Sequence, residues 1–188
     1  MHPTSLHTTS HTTLHSTLHS TLHLTKQNFK FSSAHFLIFD EKSAELLHGH
    51  NYHVKVDISY NEANATAKAN ATATEDKGYF VDFNILKKII KDQCDVWDEH
   101  ILLPEKHPDM KYQISQSGKN YDIHFRDRFY SFPVMETIWL PITNTSVENL
   151  SLLFAKNIFK KIKDFGVTQV RVSVEETRGQ SASSAVGL

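Results

Sequence analysis

The chain has 188 residues, of which 39% are hydrophobic and 22% charged, which suits one soluble globular domain with a core of its own. Its 20 basic and 21 acidic side chains leave a formal charge of −1 without any dense Lys/Arg run, which argues against nucleic acid or an anionic membrane as the main partner. The lone cysteine, Cys94, excludes a disulfide framework within the chain, and no apolar run is long enough to span a bilayer.

Residues 1–25 form a His/Thr/Ser/Leu tract with a four-residue beat, as in Thr13-Leu14-His15-Ser16-Thr17-Leu18-His19. It carries His2, His7, His11, His15, His19 and His23 out of 13 histidines in all. Low complexity predicts a disordered tail. A metal-gathering role would need histidines at i and i+4 on a helix face, and Thr and Ser are poor helix formers. The tract lacks the apolar centre of a secretory signal, which together with the single cysteine points to the cytoplasm.

The folded domain is expected over residues 26–188. Phe29 to Phe39 predicts a strand. Tyr52 to Tyr60 predicts a second, half-buried strand, with Val54, Val56 and Ile58 alternating against His53, Lys55 and Asp57. Residues 61–76 are rich in Asn, Ala and Thr, offer almost nothing large to bury, and read as an inserted loop. Asn84 to about Trp97 places Leu86, Ile89, Ile90 and Trp97 on one helical stripe, with Asp82 as its cap and Cys94 among its apolar positions. Residues 105–127 are polar, follow Pro104, contain Pro108, and read as a second long connection. Phe129 to Leu140 contains strand. Val147, Leu150, Phe154, Ile158 and Ile162 mark a second amphipathic helix with Gly166 as its stop. Thr145-Ser146-Val147-Glu148 before it has capping-box spacing, which makes Glu148 structural first. Val167 to Val174 is a last alternating strand. The order β-β-α-β-α-β with short strands predicts an α+β domain: an antiparallel sheet with two helices on one face.

Histidine closes two of the apolar rows. His48 and His50 lie two apart on extended chain and share a face with Tyr52, Val54, Val56 and Ile58. His35 follows Phe29, Phe31 and Ser33 by the same rule. Gly49 between the pair allows close approach of backbone or substrate. Three neutral imidazoles leave a tetrahedral Zn²⁺ one open position, the arrangement of catalytic zinc; satisfied core histidines are the plainer reading of His-Gly-His. His53 has the opposite parity and is expected at the surface. Glu45 precedes His48 by three residues. On residue type alone it is a solvated loop acid beside Asp40, Glu41 and Lys42, although a carboxylate there could serve as a general base. Glu176 continues the buried row Val170, Val172, Val174 and so needs a polar partner, such as two N–H donors of a planar heterocycle. Glu175 faces the other way. Asp98 could orient His100 for proton transfer, or both could simply be solvated charges at a helix end.

Six segments in order resemble the 6-pyruvoyltetrahydropterin synthase family over about residues 28–178. They are Phe31-Ser32-Ser33-Ala34-His35; His48-Gly49-His50-Asn51-Tyr52; Val81-Asp82-Phe83 with Leu86-Lys87; Asp98-Glu99-His100; Thr145-Ser146-Val147-Glu148-Asn149; and Val174-Glu175-Glu176-Thr177. The resemblance implies the tunnelling fold (T-fold), in which a barrel forms by oligomerisation and two rings make a homohexamer. It implies Zn²⁺ on His35, His48 and His50, with Mg²⁺ as a companion of a triphosphate. It implies a 7,8-dihydroneopterin triphosphate substrate gripped by Glu176 between subunits, with Thr145, Ser146 and Glu148 as further substrate contacts. Catalytic roles then fall to Glu45, Asp98 and His100. The pyruvoyl-forming and carboxy-forming members carry a catalytic cysteine shortly before His-Gly-His, whereas this chain has Ser43-Ala44-Glu45-Leu46-Leu47. Glutamate in that place resembles the Plasmodium-like subtype, which shortens the side chain to 6-hydroxymethyl-7,8-dihydropterin for folate synthesis. The usual Asp-His pair is here separated by Glu99. A 6-pyruvoyl- or 6-carboxytetrahydropterin synthase is the enzymatic alternative, and a His-rich metal-binding protein the non-enzymatic one.

Overall fold

The computed structural model describes residues 19–61 and 80–188. Alternation of apolar and polar side chains sets its two longest opening strands, β1 (His19–His35) and β2 (His48–Asn61), which pair antiparallel. Leu22 faces Ile58, Leu24 faces Val56 and Phe31 faces Tyr52. The register shifts between Thr25 and Lys30. That bulge reverses the parity of β1, so Leu24 before it and Phe29, Phe31, Ser33 and His35 after it are all buried.

Helix α1 (Phe83–Trp97) follows, then β3 (His100–Pro104), β4 (Met110–Ile114), β5 (Asn120–Phe125), β6 (Arg128–Pro133), β7 (Thr137–Leu140), α2 (Val147–Ile162), β8 (Val167–Thr177) and β9 (Gln180–Gly187). Six strands form one sheet in the order β7-β3-β1-β2-β8-β9. The four strands β1, β2, β8 and β9 pair antiparallel with one another; at the other edge β3 runs parallel to β1, and β7 parallel to β3. The helices cover one face: α1 packs on β1, α2 on β8 and β9, and the two touch each other. This is an α+β fold.

Each helix buries one stripe. In α1 it is Leu86, Ile90, Cys94 and Trp97; in α2 it is Leu150, Phe154, Ala155, Ile158 and Ile162. Asp82 caps α1, its carboxylate accepting from Asn84 N at 2.8 Å. Ser146 caps α2 through Asn149 N. The cap is therefore one residue later than the Thr145–Glu148 box requires, and Glu148 is an exposed first-turn acid that suits the helix dipole. Gly166, at φ +93°, ends the short 3-10 turn after α2. Each fully buried large side chain of this core contributes about 1.5–3 kcal/mol of apolar transfer.

Four sequence expectations change. Residues 19–25 belong to β1, because Leu22 and Leu24 alternate inward once β2 is beside them; residues 1–18, with the rest of the expected tail, lie outside the described residues. Of the loop expected at 61–76, Asn61 ends β2 and 62–76 lie outside the described residues. The connection expected at 105–127 holds β4 and β5, which join β6 in a second, three-stranded antiparallel sheet. Its polar composition hid it because only one face is covered: Met110, Ile123 and Phe125 join Phe36, Ile38 and Leu103 in a small second core. Finally, the last strand does not end the fold. β9 adds an edge built of Ser, Ala and Gly, and a Cβ on Gly187 would stand 2.6 Å from the Thr168 carbonyl oxygen. Among the described residues no helix is long and apolar enough to cross a membrane.

Candidate functional site

The β1/β2 register puts His35 directly opposite His48, with His50 opposite Ser33. The three rings meet at centroid separations of 5.0, 5.4 and 4.7 Å, and one ring nitrogen from each lies within 4.8 Å of the others. His35 is fully buried, while His48 and His50 are partly open. Two of the rings are fixed from behind. His35 Nδ1 donates to the Thr145 carbonyl at 3.0 Å, and His48 Nδ1 donates to the Leu46 carbonyl at 2.8 Å. A donated Nδ1–H leaves Nε2 as a lone pair facing its neighbours, the tautomer a metal ligand needs. Burial pushes the His35 imidazole below its usual titration range, which keeps it neutral.

Glu176 enters from the end of β8. Its Oε1 accepts from the Tyr52 hydroxyl at 3.2 Å and stands 3.0 Å from His35 Nε2 and 3.6 Å from His50 Nε2. The 3.0 Å approach is close enough for an ion pair yet misaligned for a hydrogen bond, and His35 Nε2 is buried with no hydrogen-bond partner. With Nδ1 carrying the proton, a nitrogen lone pair faces carboxylate oxygen. Two acceptors this close repel unless a cation stands among them. Three imidazole nitrogens, one of them this orphan, make a donor set that fits a zinc ion.

Glu45 lies beside the cluster. Its backbone N–H bonds the Leu37 carbonyl at 2.9 Å, its Oε2 accepts from Leu37 N at 3.0 Å, and Oε2 stands 3.7 Å from His48 Nε2. The side chain is 30% exposed, so it is a tethered acid at the rim of the site rather than a free loop acid.

The expected Asp98–His100 pair takes a different form within the chain. The Asp98 carboxylate accepts from Ser32 N at 2.7 Å, and His100 Nδ1 is held by the Asp98 backbone carbonyl at 2.5 Å. The reason is Glu99, whose left-handed φ of +59° folds His100 back over the helix end. His100, Glu99, Ser32, Gly49, His50 and Asn51 line a cleft of about 380 Å³. A Cβ on Gly49 would meet Ser33 O at 3.4 Å, an ordinary contact, so close strand approach does not demand glycine there. Asn51, His53, Glu175, Glu176 and Arg178 line a second cleft of about 410 Å³ at the end of β8.

The Thr145–Glu148 segment supports the site more than it faces it. Thr145 is buried, orients His35 through its carbonyl, and donates its hydroxyl to the Phe36 carbonyl at 3.0 Å. Ser146 caps α2, and Glu148 points to solvent. Two contributors escaped the sequence reading. Tyr52, the partner Glu176 required, was visible as the next residue in the inward row after His50. Arg128, which donates to the carbonyls of Ala44 and Glu45, gave no signal because it falls between the connection expected at 105–127 and the strand expected from Phe129.

The sequence model of a family described as 6-pyruvoyl tetrahydropterin synthase matches residues 23–185. A Methanocaldococcus jannaschii protein provisionally named 6-carboxy-5,6,7,8-tetrahydropterin synthase is 33% identical over 156 residues, 81% of this chain and 87% of that one. The crystal structure of Plasmodium vivax 6-pyruvoyl tetrahydropterin synthase superposes with a TM-score of 0.76 at 27% identity, covering 91% of this chain and 99% of the other. Two further structures of the Plasmodium vivax enzyme, each 26% identical with a TM-score of 0.76 and covering 91% of this chain and 99% of theirs, carry alanine or cysteine at a glutamate described as a catalytic residue.

Proposed function

From the premise that this chain belongs to the 6-pyruvoyl tetrahydropterin synthase family, we propose that it is a zinc-dependent lyase acting on 7,8-dihydroneopterin triphosphate and shortening its side chain to 6-hydroxymethyl-7,8-dihydropterin for folate synthesis. The observation that carries the choice of product is the acid at the rim. Glu45 approaches His48 at 3.7 Å, and the only cysteine in the chain is far from chemistry. Cys94 is buried in α1, and burial pushes its thiol up to about 12. A cysteine-based reaction has no candidate here, and the Plasmodium vivax relatives with a catalytic glutamate support reading Glu45 as the base.

His35, His48 and His50 would hold the zinc, whose chemistry is to acidify a bound hydroxyl. Glu45 removes or relays a proton from the substrate side chain. His100, with Nδ1 committed to the Asp98 carbonyl, offers Nε2 to return one. Glu176 sits where the 410 Å³ cleft meets the histidines and would accept N–H donors of the pterin ring. Mg²⁺ accompanies the triphosphate, a homohexamer completes the site, and the cytoplasm is the compartment of this reading. Thr145 and Ser146 serve it by holding His35 and the start of α2, and Glu148, exposed in the first turn of α2, would reach a ligand only from the solvent side.

The name of the Methanocaldococcus jannaschii relative favours a second reading, the 6-carboxy synthase. Incubating zinc-loaded protein with dihydroneopterin triphosphate and identifying the pterins by mass separates the two. Hydroxymethyl product that disappears in Glu45→Gln, by about 10²–10⁴-fold in rate, supports the proposal. A 6-carboxy or 6-pyruvoyl pterin without hydroxymethyl product refutes it.

A further inference from the structure

The segment between Phe36 and Leu47 carries Glu45 and is a narrow loop: around one isolated bridge, Ile38 to Ala44, Glu45 N bonds the Leu37 carbonyl at 2.9 Å, Glu45 Oε2 accepts from Leu37 N at 3.0 Å and Phe39 N bonds the Ser43 carbonyl at 3.1 Å. At its tip the Asp40 carboxylate accepts from Lys42 N and Ser43 N at 2.7 and 2.9 Å. Phe39 to Ser43 are all exposed and Leu46 is 76% exposed, so the burial that holds the loop is confined to Ile38, Ala44 and Leu47 against the second core.

Further bonds reach it from outside. Asn144 brackets Ile38, donating Nδ2 to the carbonyl at 2.8 Å and accepting from the N–H at 3.2 Å. From the three-stranded sheet, Arg128 Nη1 donates to the Glu45 carbonyl at 2.5 Å and Nη2 to the Ala44 carbonyl at 3.1 Å. Two residues away, Arg126 Nη2 donates to the Asp40 carbonyl at 2.5 Å and its Nε to Asp109 at 2.8 Å. Both guanidinium groups lie over Phe125, at 4.8 and 5.8 Å from its ring centre. Arg126 holds a φ of +56°, a left-handed conformation that a Cβ disfavours. A planar fork can span two successive carbonyls, which a single ammonium cannot.

We propose that Arg128 is a positioning residue for Glu45, fixing the backbone from which that carboxylate is aimed at the histidine cluster. The inference rests on Glu45 being the base, and it gives the β4–β6 sheet a function: a platform for the catalytic loop. Arg128 touches no reacting atom and acts only through Glu45. Displacing a reacting group by about 1 Å costs about 10²-fold in rate, so the clamp matters to turnover more than to binding.

The test compares Arg128→Gln, Arg128→Lys, Glu45→Gln and the Arg128→Gln/Glu45→Gln double variant, all full-length and zinc-loaded, with dihydroneopterin triphosphate as substrate. Arg128→Gln should lower kcat about 10–100-fold with KM within about twofold, and Arg128→Lys should recover only part of it. Tryptic cutting at exposed Lys42 should accelerate relative to exposed Lys26. The zinc-dependent rise in thermal midpoint should persist, and Arg128→Gln should add nothing to Glu45→Gln. Unchanged kcat, an additive loss in the double variant, or loss of the zinc-dependent rise would each overturn the role. An inactive Glu45→Gln beside an unaffected Arg128→Gln sinks this inference alone, whereas a fully active Glu45→Gln sinks the base assignment as well.

Discussion

Zinc added to chelator-treated protein should raise its thermal midpoint, and His50→Ala should abolish the rise while leaving the metal-free protein nearly unchanged. His50 is the informative position. His35 and His48 each brace a backbone carbonyl, at 3.0 and 2.8 Å, so removing either would strand an acceptor as well as a ligand. His50 is partly open, and beyond its ring contacts with His35, His48 and Tyr52 it approaches the Glu176 carboxylate at 3.6 Å. Its loss should therefore cost the metal-free fold about 1 kcal/mol or less. For a ligand binding only the native state at 100 times its Kd, linkage stabilises by about 2.7 kcal/mol. In a domain of this size 1 kcal/mol moves the midpoint about 2–4 °C, so the expected rise is about 5–11 °C. Melting curves by circular dichroism, without zinc and with free zinc held at about 100 times its Kd, read it directly. A wild-type midpoint that ignores zinc would refute the convergence of the three nitrogens on one ion. An equal rise in His50→Ala would place the binding elsewhere in a chain with 13 histidines.

Acid should weaken the metal-free protein through His35. Its folded titration point lies below the unfolded one because of burial, so protonation favours the unfolded chain. The stabilisation is whole above about pH 6.5 and is lost as pH falls through the lower folded value; a chelated midpoint that rises from pH 7 to pH 5 would contradict it. His107, also lowered by burial, acts in the same direction. Phe154→Ala should cost about 3–5 kcal/mol in urea unfolding, because the ring is fully buried and edge-on to Trp97 at 5.4 Å. Gly187→Ala should destabilise by about 1–3 kcal/mol, since its new Cβ would stand 2.6 Å from Thr168 O, whereas Gly49→Ala, whose Cβ would meet Ser33 O in ordinary contact at 3.4 Å, should leave stability nearly unchanged. Equal melting midpoints for the two glycine variants would show that β9 yields where the packing says it cannot.

Parity along single strands was enough to find the histidine site. His48, His50, Tyr52, Val54, Val56 and Ile58 share a face because side chains alternate on extended chain, and that holds whatever lies beside the strand. The same local rule gave both helices within a residue or two and the Asp82 cap. Local rules failed where a neighbour decides. Leu22 and Leu24 looked like part of a repetitive tail until Ile58 and Val56 stood opposite. The β4–β6 sheet buries one face only; Tyr121, Ile123 and Phe125 alternate with Asp122 and His124, but the polar residues around them read as connection until the Phe36–Ile38 segment covers that face.

Periodicity in the sequence thus determined which side chains share a face, hence the three histidines, the buried Glu176 row and the two helical stripes. Tertiary structure alone decided distances across chain separations: the Thr145 carbonyl behind His35, the Tyr52 hydroxyl on Glu176, and the Arg128 fork under Glu45. The physical reason is range. A face is set by the backbone geometry of adjacent residues, whereas a hydrogen bond between residues 83 or 110 positions apart exists only after packing has closed the chain between them.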